Sequence, residues 1–190
     1  NDGSTDNTYE VMEKYAFSDS RIRIFHKQNG GVATALNVGI NNARGEWICW
    51  LSSDDLFEPD KLQTHFNAIN DYPEIKFFHS HWYLLLEETQ EKIAPPLWLQ
   101  IPLTEFQVTR FFWANYIHGN AIAVNRSVFK EVGLFNESLR QGQDFDMWLR
   151  ISSRFVSFYI DKRTCVTRIH KGQTTNSFVE GGVLDSTRAL

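Results

Sequence analysis

Cysteine is scarce in this sequence, with two in 190 residues, Cys49 and Cys165. Neither belongs to a CxxC pair or a Cys/His cluster, which excludes a zinc-ribbon site and a disulfide framework. Each lies in an apolar, strand-like stretch and reads as a buried free thiol in a reducing cytoplasm. Long apolar runs are missing: none approaches the roughly 18 residues of a membrane span, and no signal-peptide pattern opens the chain. A basic excess is missing too. Nineteen Lys and Arg face 23 Asp and Glu, a net charge of −4, which argues against a nucleic-acid partner. A polyphosphate substrate stays compatible with that charge, because a divalent cation neutralises it locally. What remains is ordinary for a globular protein, 42% hydrophobic and 22% charged, with a generous 14% of aromatics that core packing or sugar stacking would use.

Strand-like and helix-like segments alternate, the pattern of an α/β protein. After the turn-rich opening NDGSTD, residues 8–16 predict a helix with Val11, Met12 and Tyr15 on its apolar side and Ser4, Thr5 or Asp6 as cap. Residues 21–26 (RIRIFH) alternate with period two and predict a strand. The turn Gln28-Asn29-Gly30-Gly31 leads into a helix over 32–43, with Val32, Leu36, Ile40 and Ala43 at helical spacing. Residues 46–51 predict a short buried strand that ends in Ser52-Ser53-Asp54-Asp55. Pro59 suits the first turn of the next helix, whose Leu62, Phe66 and Ile69 share a face. Further strands are expected over 76–86, 119–124, 155–160 and 164–169. A charged turn over 87–92 and an irregular, proline-rich connection over 94–102 lie between them. Further helices are expected over 104–114, 126–132 (stopped by Gly133) and 144–154, the last with Met147, Trp148 and Ile151 inward. The tail beyond His170 is polar and then Gly-rich. No repeat or linker interrupts the series, so residues 1–190 read as one domain.

Five places carry candidate chemistry. Asp2 sits in a turn of the kind that follows a strand's carboxyl end, where α/β sheets bind ligands; its carboxylate would accept a hydrogen bond from a ribose or a base, or merely serve a plain turn. Asn29-Gly30-Gly31 lets backbone approach a ligand closely, and the following helix offers N–H groups to an anion. Asp54 and Asp55 end a buried strand, where two acids need a task. Neighbours on an extended backbone point to opposite sides, so one would bond a ribose hydroxyl and the other a metal, unless both only cap the next helix. Asp144 and Asp146 open an amphipathic helix, either as acids favoured by its dipole or with Asp144 as a general base. His170 follows a strand beside Arg168 and Lys171 and would close over a diphosphate or ligate a metal.

Taken in order, NDGSTD, QNGGVATALNVGI, ARGEWICWLSSDD, FEPDKL, FKEVGLFNESLRQGQDFDMWLRI and TRIH resemble the inverting GT-A glycosyltransferases of family 2 across nearly the whole chain. The resemblance implies a Rossmann-like α/β sandwich with a mixed central sheet. It implies a nucleotide-diphosphate sugar, by preference a UDP-sugar, as donor and a glycan or lipid-linked hydroxyl as acceptor. Asp2 then looks like the acid that reads the base, and Asn29 and Gly30 like part of the nucleotide and phosphate pocket. SSDD looks like a DxD-type element, with Asp54 toward ribose and Asp55 toward Mg²⁺ or Mn²⁺. Asp144 looks like the acid that deprotonates the acceptor. Arg168 and His170 match an RxH element near the diphosphate, with His170 as a second metal position. Three departures stand out. Ser52 and Gln143 replace acids common in the family, and the strand-helix-strand unit that normally precedes NDGSTD is not in this chain. A non-catalytic sugar- or nucleotide-binding relative is the competing reading. A two-carboxylate glycoside hydrolase explains less of the chain.

Overall fold

Phe77 and Phe78 are adjacent, fully buried, and point to opposite faces of one strand, as alternation along a strand requires. Each anchors a separate core. Phe77 packs with Trp148, Met147, Ile151, Ile122, Val124 and Phe135, and Phe78 with Ala68, Ala123 and the partly buried Trp47, Cys49 and Phe158. The sheet is therefore covered on both faces, the layering of an α/β fold.

The computed structural model describes residues 1–95 and 117–172. In chain order these hold α1 (Thr8–Ser18), α2 (Val32–Asn42), β1 (Trp47–Ile48), β2 (Leu56–Phe57), α3 (Lys61–Asp71), β3 (Phe77–Leu86), β4 (Lys92–Ile93), β5 (Ile122–Asn125), α4 (Val128–Val132), α5 (Gln143–Ser152) and β6 (Ser157–Ile169). The sheet is mixed, in the order β1-β5-β3-β6-β2, with β4 also on β3. β3 and β6 run parallel from Phe77/Ser157 to Leu86/Ile169, and the other pairings are antiparallel. Helices α2, α4 and α5 cover the Phe77 face, and α3 the Phe78 face. Register then sets the functional corner. Leu56 pairs with Val166, which brings Asp54 and Asp55 alongside the end of β6, residues 167–170.

Several sequence expectations need correction. Residues 21–26 form no ladder: in the bonds described, Arg21 N and Ile22 N turn back to Asp19 at 2.9 and 3.0 Å, and Phe25 O accepts Asn1 N at 2.7 Å, with Lys27 N donating to Asn1 O at 3.0 Å. A strand is defined by its partner, which periodicity does not supply. Helix α1 forms, with the Asp6 carboxylate accepting Thr8 N at 3.1 Å, but it buries none of its residues among those described, and Val11 and Tyr15 are exposed. Helix α3 is turned by one residue from the expected face. It buries Lys61, His65 and Ala68 and exposes Leu62 and Phe66. The inward Lys61 is accommodated because its Nζ donates to Ile122 O at 3.3 Å and lies 4.9 Å from the Phe57 ring centroid. On α2, Val32 is exposed, and Asn37 joins Ala33 and Ile40 in the interior. Residues 155–160 and 164–169 are one strand. Asp161 and Lys162 are absorbed as a bulge where the partners step from Ser80/Ile160 to His81/Arg163. Residues 119–121 make a 3₁₀ turn before β5, while β2 and β4, two residues each, are too short for any periodic signal. The helix over 104–114, most of the 94–102 connection, Trp98, Trp113 and nearly all of the tail lie outside the described residues. No described helix is long and apolar enough to cross a membrane.

Two buried polar devices stabilise this frame. Asn37 ties α2 to the chain before α5: its Nδ2 donates to Phe135 O at 3.0 Å and Glu137 Oε1 at 2.8 Å, and its Oδ1 accepts Phe135 N at 2.9 Å. Asn37→Ala should cost about 2–4 kcal/mol of unfolding free energy, because it strands both backbone groups of Phe135 in the interior; urea denaturation measures this. His65 and His118 are held neutral. Burial and the Lys61 charge lower both pKa values to about 4, against about 6.5 in an unfolded chain. Above pH ~6.5 both states are neutral, and below it the unfolded chain binds protons that the folded one refuses, so stability falls from pH ~6.5 toward 4. His65→Gln should flatten that fall by about 1.4 kcal/mol per pH unit, read from urea unfolding at pH 7, 6 and 5.

Candidate functional site

The corner is built on a residue that sequence reasoning missed. Asn120, buried in the 3₁₀ turn Gly119–Ala121, uses both ends of its amide. Its Oδ1 accepts Ser52 N at 3.0 Å and lies 3.3 Å from Ser52 Oγ, and its Nδ2 donates to Asp55 Oδ2. Asp55 Oδ1 accepts the Arg168 backbone N–H at 2.9 Å. One carboxylate thus joins the SSDD turn to the turn before β5 and to the end of β6. Asp55 is 8% exposed. Burial pushes its pKa up, the Arg168 bond pulls it back, and the neighbouring Asp54 charge raises it again. The turn is in turn held from behind. His118 Nδ1 accepts Asn120 N at 3.3 Å, with His118 Nε2 3.0 Å from Thr167 Oγ1. Ser80 Oγ donates to Ala121 O at 3.0 Å and stands 2.6 Å from Thr164 Oγ1.

Asp54 faces outward, its side chain 40% exposed, and its Oδ2 stands 3.1 Å from His170 Nε2. The sequence reading set Asp55 and His170 together toward a metal; the fold instead puts Asp54 beside His170 and closes both oxygens of Asp55 with protein donors. Among the described residues no group of three or more His, Cys, Asp or Glu side chains is arranged round a cation. Two protein ligands are nevertheless enough for a hard divalent ion that keeps waters and binds substrate phosphates. Neighbouring ligands on an octahedral ion with ~2.0–2.1 Å bonds stand about 3 Å apart, so an oxygen and an imidazole nitrogen at 3.1 Å fit one.

Asp2 forms a second group. Its Oδ1 accepts Gly30 N at 3.0 Å and its Oδ2 accepts Gly31 N at 2.8 Å, and Lys27 Nζ donates to Oδ1. The N–H groups of the glycine turn ahead of α2 therefore meet the protein's own carboxylate. Burial opposes its charge, but Lys27 and the two glycine N–H groups outweigh that and hold the carboxyl below the usual range. Gly3 is required here: its φ is +73°, and a Cβ would stand 2.8 Å from Asn29 N. Asn29 and Gly30 are exposed on this turn. The bonds described among residues 1–95 and 117–172 place Asp144 in neither set. It lies in the first turn of α5, accepts Phe145 N at 2.8 Å, and stands one helical turn before the buried Trp148 on the same face. Asp146, beside it, is bonded to Arg150 at 2.7 Å. The only signal for Asn120 in the sequence was an amide between turn formers and an apolar strand, which many structural asparagines share.

The comparisons with known proteins agree with this architecture. The family described as glycosyl transferase family 2 matches residues 1–133. An uncharacterised glycosyltransferase of Rickettsia typhi is 32% identical over 182 residues, covering 93% of this chain and 55% of its own length. The chondroitin synthase of Pasteurella multocida is 30% identical over 179 residues, 93% of this chain and 18% of its own. Among solved structures, S. aureus TarS 1–349 in complex with UDP-GlcNAc superposes with a TM-score of 0.70 at 17% identity, over 90% of this chain and 49% of that one. The mannosyltransferase PcManGT from Pyrobaculum calidifontis, in complex with GDP-Man and Mn²⁺, gives 0.64 at 16% identity, over 92% and 48%. The chain thus spans about half the length of the first of these curated relatives, and less of others. With the family matched over more than half of its residues and the sheet layered as in these GT-A neighbours, the chain belongs to glycosyl transferase family 2.

Proposed function

We propose that the protein of which this chain is part transfers a sugar from a nucleotide-diphosphate donor to an acceptor hydroxyl, with inversion, and that Asp144 is the general base. The observation that carries the reading is the corner at the end of β6, where Asp54 and His170 stand 3.1 Å apart on a support of Asp55, Asn120 and the Arg168 backbone. An outward acid–imidazole pair above a buried acid with a protein donor on each oxygen is an arrangement for holding something.

Asp54 and His170 would hold Mg²⁺ or Mn²⁺, whose charge supplies stabilisation of the departing diphosphate. Asp55 then braces the turn rather than meeting the ion. Arg168, whose main-chain N–H donates to Asp55 at 2.9 Å, is read as the cation toward the diphosphate. Asp2 has about four acceptor sites, of which three are taken by Lys27, Gly30 and Gly31, so one remains for a base N–H, with Asn29 and Gly30 on the rim beside it. Asp144 would take the acceptor's proton as its oxygen attacks the anomeric carbon from the face opposite the leaving diphosphate, which is what inverts the centre. A UDP-sugar is the first donor to try, since TarS is seen with UDP-GlcNAc, and GDP-Man the second. The acceptor is read as a glycan or lipid-linked hydroxyl. Two free thiols, Cys49 and Cys165, with burial pushing Cys165 up to about 12, suit a reducing cytoplasm. A sugar- or nucleotide-binding relative without catalysis would need no general base on α5.

The test is nucleotide release from UDP-GlcNAc and GDP-Man by the full-length protein, with and without Mn²⁺ and glycan acceptors. Asp144→Asn should lower transfer by about 10²–10⁴-fold while UDP binding by calorimetry stays within a few-fold; surviving transfer removes Asp144 from the role. Asp54→Asn and His170→Ala should each raise the half-maximal Mn²⁺ concentration by about tenfold or more, since loss of outer-shell partners alone costs 10–100-fold. If Asp55→Asn shifts the Mn²⁺ requirement and Asp54→Asn does not, the two acids have been assigned the wrong way round.

A further inference from the structure

Trp50 lies outside both groups of site bonds, yet it touches the supports of the donor corner and of Asp144. It follows β1 and stands two residues before Ser52. Its indole stacks on that of Trp148, with centroids 5.4 Å apart and planes 6° from parallel, and Trp148 in turn stacks on Phe77 at 5.3 Å and 19°. Phe135 closes the edge of Trp50 at 5.4 Å and 76°. Trp148 and Phe77 are fully buried, so the far end of the pile is anchored in the central strand. Trp148 is also one turn beyond Asp144 on the same face of α5 and, with the buried Met147 and Ile151, sets the roll of the helix that presents Asp144. Among the described residues the Trp148 Nε1–H has no hydrogen-bond partner, so ring packing orients the indole.

The other edge of Trp50 meets Gly119. A Cβ at that glycine would lie 2.9 Å from Trp50 Nε1 and 3.3 Å from two further ring atoms. The glycine is needed for close approach, not for backbone conformation. Its neighbour Asn120 carries Ser52 and Asp55. A continuous line of contact therefore runs from Asp55 through Asn120 and Gly119 to Trp50, Trp148 and the first turn of α5. The corner does not need Trp50 to hold together, because Asp55 is also gripped by the Arg168 N–H at 2.9 Å and Asn120 by Ser52 and His118. Helix α5 is also held by the buried Met147 and Ile151 and by Arg150 Nη1, which donates to Val132 O at 2.7 Å, while the stack is the contact that ties it to the Gly119 turn.

We propose that Trp50 is a positioning residue, a flat spacer between the Gly119 turn and Trp148 that sets α5, and with it Asp144, against the donor corner. The role rests on the reading of Asp144 as general base. Removing the ring should loosen the base while leaving the donor site in place. A few tenths of an ångström matter here, since misplacement of a reacting group by ~1 Å is enough to cost about 10²-fold.

The test uses Trp50→Leu, Trp50→Phe and Gly119→Ala in the full-length protein, with nucleotide release measured first on UDP-GlcNAc. Trp50→Leu should lower kcat about tenfold or more with donor KM changed less than about threefold, and Trp50→Phe, which keeps a flat ring, should recover most of that loss. Gly119→Ala, whose Cβ would stand 2.9 Å from Trp50 Nε1 and displace the indole, should show the same split and serves alone if Trp50→Leu does not fold. Amide exchange gives a readout that does not depend on catalysis. In Trp50→Leu, exchange across residues 143–148 should quicken about tenfold, while that of residue 168 and the β3–β6 ladder stays within about threefold. The proposal is overturned if the folded leucine variant keeps kcat within twofold, if KM rises in step with the fall in kcat, or if exchange quickens evenly across α5 and β6. A wild-type protein that releases no nucleotide from either donor, with the local exchange change intact, instead removes the transferase reading and leaves the spacer standing.

Discussion

The amide of Asn120 is the contact on which the candidate site depends. Its two ends point to two stretches of chain that are far from it in sequence, Ser52 and Asp55, and it is buried where water does not compete. A buried amide of this kind is held to one orientation, because reversing it would set an oxygen against the Asp55 carboxylate and an NH₂ against the Ser52 N–H. The carboxylate it grips also takes the Arg168 N–H. In this way the ends of β6 and of the segment after β1, and the start of β5, are fixed together at one edge of the sheet. Asp54 and His170 then become neighbours as a consequence, since each is one or two residues from a fixed point.

Beneath that corner the interior is unusually polar. Lys61 donates to Ile122 O, Ser80 to Ala121 O, and His118 lies against Thr167, so the turn from 118 to 122 is held by side chains of α3, β3 and β6 as well as by its own backbone. Buried polar groups raise the free energy of the folded state unless each is bonded, but bonded they select one arrangement over its near alternatives. A hydrophobic floor would hold the sheet as well and the turn less well. The Lys61 ammonium is tolerated in this interior by a carbonyl and an aromatic face, while burial pulls its pKa down. Its presence explains why α3 turns its polar side inward and leaves Leu62 and Phe66 in water.

Much of the architecture was legible in the chain. The helices α2, α4 and α5, the long strand β3 and the inward trio of Met147, Trp148 and Ile151 are written as apolar periodicity, which reports burial directly. What failed did so for identifiable reasons. The apolar residues of α1 and α3 were read as inward because periodicity shows that a helix has a face, not which neighbour covers it. Residues 21–26 alternate like a strand, yet a ladder needs a second backbone. Asp161 and Lys162 look like a break between two strands, whereas a bulge lets one strand carry them without losing its partner. The candidate residues were read from turns and strand ends; a division of labour between Asp54 and Asp55 was read from strand alternation, although the strand ends at Ile48, and which acid served which partner came from the family resemblance.

The sequence by itself determined the class of fold, the family, and the set of acids and imidazole from which a site could be made, because those depend on composition and on local order along the chain. Only tertiary structure decided which acid faces outward. Asp54 and Asp55 are chemically the same and adjacent, and their roles separate only when residues more than 60 positions away, Asn120 and Arg168, arrive to bond one of them and leave the other beside His170. Strand register and the reach of one buried amide make that choice, and neither is a property that a local stretch of sequence carries.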